Sequence, residues 1–375
     1  MHLITDLDVG GAEMMLAKLA EAFDRARFRT VVVSLMPSGL LGQRLTAAGI
    51  AVHSLGMARG VPDPRGLTRL VSLLRREPVD LLQSWLYHAD LLGVVAARLA
   101  GVSRLCWNIR CTAMDPARYS RISAALPRLL ARLSASPDAV LVNSAAAQRA
   151  HEELGYHPKR WSMIPNGFDV ARFQPDIAAG PRLRRDLGLP GDAFLVGLPA
   201  RFDPMKDHAT FLAAAALFAA RCGVARFLLM GRGVARGNTA LERMIAARGL
   251  GERVLLLGER ADMAELLPGL DVATLSSAFG ESFPNVVGEA MACGVPVAAT
   301  VVGDVGEIVG ATGIVVPPGD AAALAGAWQR LYEAGEAERR RLGAAARQRV
   351  VSNYALPAIA RRYETLYEDI VSRGR

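Results

Sequence analysis

Apolar residues along this chain follow two alternating rhythms. Short runs of consecutive, often β-branched, apolar residues alternate with longer stretches in which apolar residues return at helical spacing. In the first half the short runs predict strands at His2–Thr5, Arg29–Ser34, Val52–Ser54, Leu81–Ser84, Arg104–Asn108, Ala139–Asn143 and Trp161–Ile164. Helices fit between them at Gly11–Phe23, Leu40–Ala48, Arg65–Arg76, Tyr87–Ala100 and around Arg118–Leu133. The turn signal Pro165-Asn166-Gly167-Phe168-Asp169 follows, and the Pro-, Gly- and charge-rich stretch to Gly191 reads as a linker. The alternation then resumes, with strands at Phe194–Leu198, Arg226–Met230, Val254–Leu257, Val272–Leu275, Val295–Thr300 and Ile314–Val316. Leu356–Ser372 closes the chain with Ile359, Tyr363, Leu366, Tyr367 and Ile370 at helical spacing.

Buried runs alternating with amphipathic helices belong to parallel sheets covered on both faces. The expected architecture is α/β: two doubly wound, Rossmann-like domains over residues 1–175 and 176–352, facing each other across a cleft. In such sheets ligands sit at the carboxyl ends of the strands.

Composition narrows the class. With 375 residues, 51% hydrophobic and 21% charged, the chain is long enough for two ordinary cores. No uncharged apolar run approaches the roughly 18 residues of a membrane-spanning helix, and the richest candidate, Leu91 to Val102, contains Arg98. No charged-then-apolar signal segment opens the chain, and strand one starts so near Met1 that a few residues upstream are expected. The four cysteines are scattered without metal spacing, which suits reduced thiols and a cytoplasmic location.

The net charge of +8 is uneven: residues 1–175 carry 21 basic against 14 acidic side chains. That asymmetry suggests an anionic partner for the first half, such as the inner membrane face or a phosphorylated lipid, with no nucleic acid expected. An Arg-rich coding bias is the better account of the composition, although it does not explain the difference between the halves.

Candidate chemistry concentrates in the second half. Glu281-Ser-Phe-Pro-Asn-Val-Val-Gly-Glu289 places two carboxylates eight residues apart around a helix start. Pro284 suits the first turn, with Ser282 or Phe283 near the cap. The helix start favours an anion between two acceptors of hydroxyl hydrogen bonds, which describes a holder for a sugar, a diphosphate and a ribose. A helix-dipole role for Glu281 and an exposed surface role for Glu289 stand as the alternative.

Arg201 and Lys206 lie on the loop after Phe194–Leu198, placed to neutralise a diphosphate leaving group. Lys206 is one of only three lysines, with Lys18 and Lys159, so a compact ammonium is wanted there. A solvated basic turn is the alternative, and His208 reads as a packing or capping residue. Gly231 and Gly258 end strands on the same rim, where a base could meet the backbone. In the first half, Gly10 and Gly11 precede a helix, letting backbone N–H groups approach an anionic ligand. Asp6-Leu7-Asp8 resembles a metal motif but reads better as a structural turn.

Arg201 with Lys206, Gly258-Glu259-Arg260, the Glu281–Glu289 motif with Gly294-Val-Pro296-Val, and Thr312-Gly313-Ile-Val-Val-Pro317 resemble the retaining glycosyltransferases of family 4, which have the GT-B fold. Gly10-Gly11-Ala-Glu13, Trp85-Leu-Tyr-His88-Ala-Asp90 and Ile164-Pro-Asn166-Gly-Phe-Asp169 match the same family. The resemblance implies an acceptor-binding first half, a nucleotide-sugar donor-binding second half, and a last helix (353–375) crossing back to the first domain. It implies that Arg201 and Lys206 grip the donor diphosphate and that Glu289 accepts from the ribose hydroxyls. It places Glu281 on the transferred sugar, with backbone N–H groups of Ser282, Phe283, Pro284 and Asn285 beside it. His88 would come near the donor sugar, Gly11 near the phosphate, and Gly231, Gly258 and Arg260 in the donor pocket. Arg110 stands where relatives often carry a histidine, so its role is open.

The implied reaction moves a hexose-type sugar from a UDP- or GDP-sugar to a saccharide or lipid-linked saccharide, as in exopolysaccharide or lipopolysaccharide synthesis. Retention without an evident carboxylate nucleophile fits a front-face displacement. No metal and no cofactor beyond the co-substrate are expected. A nucleotide-sugar epimerase and a noncatalytic sugar-nucleotide binder share the architecture, because fold does not fix reaction.

Overall fold

Thirteen parallel strands in two sheets organise the computed structural model, which describes residues 1–8, 10–58, 63–112 and 121–373. In the first unit β1 (His2–Ile4), α1 (Gly11–Ala22), β2 (Val31–Ser34), α2 (Gly39–Ala47), β3 (Ala51–Ser54) and α3 (Pro64–Arg76) come first. β4 (Leu82–Trp85), α4 (Tyr87–Ala100), β5 (Leu105–Ile109), α5 (Arg121–Leu133), β6 (Ala139–Val142), α6 (Ala145–Glu153) and β7 (Trp161–Met163) follow. The sheet order is β3-β2-β1-β4-β5-β6-β7. Of the helix expected around Arg118–Leu133, residues 118–120 lie outside the described residues, as does Val9 of the Gly10-Gly11 loop.

The second unit holds α7 (Ala179–Asp186), β8 (Phe194–Pro199), α8 (His208–Ala219), β9 (Ala225–Met230), α9 (Thr239–Ala246), β10 (Val254–Leu256) and α10 (Met263–Leu266). It continues through β11 (Val272–Leu275), α11 (Asn285–Ala292), β12 (Val297–Thr300), α12 (Val305–Val309), β13 (Ile314–Val316), α13 (Ala321–Glu333) and α14 (Gly335–Tyr354). Its sheet runs β10-β9-β8-β11-β12-β13. The first unit comprises Met1–Gly167 and Leu356–Arg375, and the second Phe168–Ala355. All of the predicted strands form, with ends shifted by one or two residues.

The stretch read as a linker is structured. Phe168 and Phe173 are buried in the second unit's core, and α7 forms where proline and charge had suggested irregular chain. Two aromatic anchors outweigh a polar composition once they find a cavity to fill.

The final helix, α15 (Leu356–Ser372), returns to the first unit as expected. Its apolar stripe Ile359, Tyr363, Leu366, Tyr367 and Ile370 is buried against the same core as α1. Tyr363 stacks on Trp85 at 6.4 Å between centroids, the Tyr367 hydroxyl donates to Gln83 Oε1, and Glu364 accepts the Asp24 N–H at 2.8 Å.

Packing of α11 depends on one missing side chain. A Cβ at Gly288 would lie 2.1 Å from the Phe168 ring, which is fully buried. Gly288→Ala is therefore expected to destabilise the second unit by about 1–3 kcal/mol through overpacking. Gly326→Ala in α13, where a Cβ meets nothing within 4 Å, should instead stabilise slightly. Denaturant unfolding of the two variants checks the opposite signs.

Candidate active site

Strands β8 and β11 are neighbours, yet the chain leaves β8 toward β9 and β11 toward β12. Such a switch point opens a crevice beyond the strand ends. Of the residues singled out from sequence, Arg201 and Lys206 stand on the loop that leaves β8, and Glu281 to Pro284 on the loop that leaves β11 and leads into α11.

The loop after β8 is built from two aspartate caps. The Asp203 carboxylate accepts the Met205 N–H at 2.9 Å and pairs with Arg201 Nε at 3.2 Å, and Pro204–Lys206 makes one 3-10 turn. Asp207 then adopts a left-handed conformation (φ 46°, ψ 61°) and accepts both the N–H and the hydroxyl of Thr210, starting α8. Asparagine and aspartate tolerate that region through local hydrogen bonds. His208 follows, buried against Phe202, and burial pushes its imidazole down to about 4. It packs, as the sequence suggested.

Lys206 Nζ contacts Glu281 Oε1, and Ser277 Oγ donates to the same oxygen at 2.7 Å. Ser276 Oγ donates to the Lys206 carbonyl at 2.7 Å and the Ala278 N–H to the Met205 carbonyl at 2.9 Å, so the β8 and β11 loops are stitched together. The Lys206 and Glu281 side chains are only 14% and 9% exposed, whereas Arg201 is 45% exposed. A third loop supports the pair. Gly303, at φ 57° after β12, would drive a Cβ to 2.4 Å from the Glu281 carbonyl, and the Asp304 N–H donates to the Ser282 carbonyl at 3.0 Å.

The helix start differs in detail from the sequence expectation. Pro284 is itself the N-cap of α11, with Asn285 its first residue. Proline carries no N–H, so Pro284 cannot donate to an anion, and only Ser282, Phe283 and Asn285 in that run can. The Phe283 side chain is committed to the core, stacked on Phe168 at 6.2 Å and edge-on to Tyr354, which leaves only its backbone for a ligand. Glu289 lies one turn inside α11 and is half-buried.

Gly231 and Gly258 end the adjacent strands β9 and β10, joined by an N–H to carbonyl bond of 2.7 Å. Arg260, on the same rim, is paired with Asp262 of its own loop, and that carboxylate raises the guanidinium pKa further.

In the first unit β1 and β4 form the equivalent switch point. Gly10 is the extended N-cap of α1, and Gly11 is its exposed first residue. Beyond β4, Leu86 sits at φ 72°, ψ 152°, a region that a residue with a side chain occupies only under constraint. The constraints are visible on both sides of His88. The buried Tyr87 hydroxyl meets His151 Nε2 at 2.6 Å, and Asp90 takes the Ser84 hydroxyl at 2.5 Å. Burial holds the Asp90 carboxyl well above the usual carboxylate range. His88 itself is exposed, and partial desolvation lowers its pKa, leaving the imidazole neutral near pH 7.

The structure explains Arg110. Its guanidinium lies 5.3 Å from the Trp85 ring, donates to the Tyr363 hydroxyl at 3.2 Å and bonds Asn166 Oδ1. Arg110 thus ties the end of β5 to α15 and to the turn where the chain leaves the first unit.

Sequence reasoning missed Ser276, Ser277, Asp203 and Asp207. An Asp-Pro pair ahead of Lys206 was the available signal for the first cap. Nothing local marked the two serines, whose partners lie 70 and 4 residues away.

Comparison with known proteins identifies the family. A sequence profile described as Glycosyltransferase Family 4 matches residues 9–172, and one described as Glycosyl transferases group 1 matches residues 193–334. The 2-deoxystreptamine glucosyltransferase of Streptomyces kanamyceticus is 30% identical over 283 residues, 71% of this chain and 72% of its own. The UDP-Gal:alpha-D-GlcNAc-diphosphoundecaprenol alpha-1,3-galactosyltransferase of Escherichia coli is 26% identical over 63% of this chain, and the match spans 61% of that enzyme. Among solved structures, Anabaena HepE in complex with UDP superimposes with a TM-score of 0.83 at 25% identity, covering 97% of this chain and 99% of its own. The two parallel sheets are those of GT-B glycosyltransferases. The chain belongs to the family 4 glycosyltransferases, its second unit carrying the group 1 glycosyl transferase domain.

Proposed function

We propose that this chain transfers a hexose-type sugar from a UDP-sugar to a lipid-linked saccharide, with retention of configuration and without a metal. The observation that carries the reading is the meeting of Lys206 and Glu281 at the β8/β11 switch point, beside the start of α11, with Arg201 exposed on the same β8 loop and paired there with Asp203. Breaking an anomeric bond leaves a diphosphate whose developing charge must be met. Two cations and oriented N–H groups meet it without reorganising at the moment of reaction. Glu281 accepts from hydroxyls of the sugar, and Glu289, a turn inside α11, accepts from the ribose. His88, neutral and exposed, can take a hydrogen bond from a sugar hydroxyl.

UDP is favoured over GDP because HepE was solved with UDP and with UDP-glucose, and the galactosyltransferase relative uses UDP-Gal. That relative's diphosphoundecaprenol acceptor likewise supports a lipid-linked acceptor here. The reading needs no carboxylate nucleophile: the departing phosphate oxygen deprotonates the acceptor hydroxyl on the same face.

A thermal-shift comparison of UDP and GDP tests the donor. Ligand at about a hundredfold over Kd adds roughly 2.7 kcal/mol to stability, so UDP should raise the midpoint clearly and GDP far less. UDP-glucose and UDP-galactose are then supplied with a lipid-diphosphate saccharide in the presence of chelator. An α-linked product is expected. A β-linked product, or turnover restored only by added divalent ion, would overturn the corresponding part of the reading.

A further inference from the structure

Helices α3, α4 and α5 lie side by side over one face of the seven-stranded sheet, with Leu70, Leu74, Val94, Ala97, Leu126 and Leu130 in their shared core. Their other face is exposed, and its chemistry is one-sided. The only carboxylate on the three helices is Asp90, which is buried against Ser84. On α3 the exposed positions are Pro64, Arg65, Thr68, Arg69, Arg75 and Arg76, a spacing that puts them on one stripe. α4 exposes Val95, Arg98 and Leu99, and α5 exposes Arg128, Leu129 and Arg132. Leu99 is 53% exposed and Leu129 42%, large apolar side chains left standing among cations. Between α3 and α4 runs a groove of about 400 Å³, floored by Leu67, Val71 and Leu99 and rimmed by Arg75 and Arg76.

A general excess of arginine does not produce this pattern. On α14, also rich in arginine, Arg340 pairs with Glu336, Arg341 with Glu338 and Arg349 with Glu307. On the α3–α5 face, among the described residues, the guanidinium groups of Arg65, Arg76, Arg128 and Arg132 pair with no carboxylate. Unpaired arginines on three helices whose one carboxylate is buried, with leucines between them and the acids Asp63 and Glu77 only at the ends of α3, match a partner that offers phosphates above a hydrocarbon layer. α4 adds a direction. Its outward stripe runs His88, Leu92, Val95, Leu99, so the exposed histidine and the exposed leucine are about 16 Å apart along one helix.

We propose that the α3–α4–α5 face seats this chain on a bilayer containing anionic phospholipid, with the α4 stripe leading from the bilayer to His88. A lipid-linked acceptor would then reach the first-unit switch point without its tail leaving the membrane. No helix among the described residues is long and apolar enough to cross a membrane, so the contact is with the surface. The use made of the contact rests on the lipid-linked acceptor proposed above, but the contact itself does not.

Vesicle flotation of the full chain tests it, with phosphatidylcholine alone against phosphatidylcholine mixed with phosphatidylglycerol. The chain should float with the anionic vesicles, stay in the buffer with the neutral ones, and be released by salt. Each basic side chain at such a surface is worth about fivefold in partitioning. The fourfold variant Arg65→Glu, Arg76→Glu, Arg128→Glu, Arg132→Glu should therefore lose binding by well over tenfold while keeping its UDP thermal shift, which reports an intact second unit. Leu99→Ser with Leu129→Ser, which leaves every charge in place, should weaken anionic binding too. If the parent chain ignores anionic vesicles, if the fourfold variant floats as well as the parent, or if the face captures RNA but not vesicles, the proposal fails. Vesicle binding without any UDP shift would overturn the donor reading and leave this face standing.

Discussion

Lys206→Met is expected to lower kcat/KM for the nucleotide sugar by about 10²–10³-fold, the scale seen when one preorganised charge-stabilising group is removed. The Lys206 side chain is 14% exposed with its ammonium on Glu281, and the Ser276 hydroxyl, donating to the Lys206 backbone carbonyl, holds the loop that carries it. A diphosphate arriving at the β8/β11 crevice meets a cation already desolvated and held, where a charge is worth more than in water. Lys206→Arg should not rescue the rate. A planar guanidinium needs room to present its fork, and the pocket is fitted to a point charge. The same substitution also strips Glu281 of its cation, and losing one partner of a buried pair destabilises the fold by itself. The double variant Lys206→Met, Glu281→Gln separates the effects. It should recover the thermal midpoint, because Ser277 can still bond the neutral amide, yet be at least as slow as the single variant, since Glu281 contributes to the rate on its own. Recovery of rate along with stability would mean that Lys206 serves only the fold.

The two alternating sheets were legible because buried parallel strands and amphipathic helices impose different periods on the sequence, and every predicted strand formed. The stretch from Phe168 to Gly191 was misread because its structure comes from two aromatic anchors, Phe168 and Phe173, whose cavities are made by residues far along the chain. Periodicity cannot report a partner at that distance. The candidate site shows the same division. Arg201, Lys206 and Glu281 were visible as charged residues at the ends of apolar runs, but the meeting of Lys206 with Glu281 was not. It depends on β8 pairing with β11, a register that places loops 75 residues apart in contact. Pro284 was placed inside the first turn when it is the cap, and as a proline it offers no N–H to the anion site in either place. Arg110 had no reading from sequence, since its three partners come from Trp85, Asn166 and Tyr363.

Glu281 and Glu289 should fail in different ways. Glu281→Gln keeps the shape and the Ser277 hydrogen bond but removes the charge that accepts from sugar hydroxyls and that now holds Lys206. A hydrogen bond to a charged group contributes about 1.5–3 kcal/mol, so kcat should drop by about 10–100-fold. Binding of UDP alone should hold or tighten, because UDP carries no transferred sugar and the freed Lys206 no longer has to be won from a carboxylate. Glu289→Ala should do the reverse. Set a turn inside α11 and half-buried, it faces the ribose in the proposed pose, so UDP affinity should fall by about tenfold or more with kcat less affected. Calorimetric titration of UDP beside steady-state rates with the UDP-sugar gives both numbers for both variants. If Glu281→Gln leaves kcat unchanged, or if both variants lose UDP binding equally, the two carboxylates do not divide the donor between them. The sign on UDP binding is the sharper test. A purely structural Glu281 would weaken UDP when neutralised, whereas a carboxylate that competes with phosphate for Lys206 must strengthen it or leave it alone.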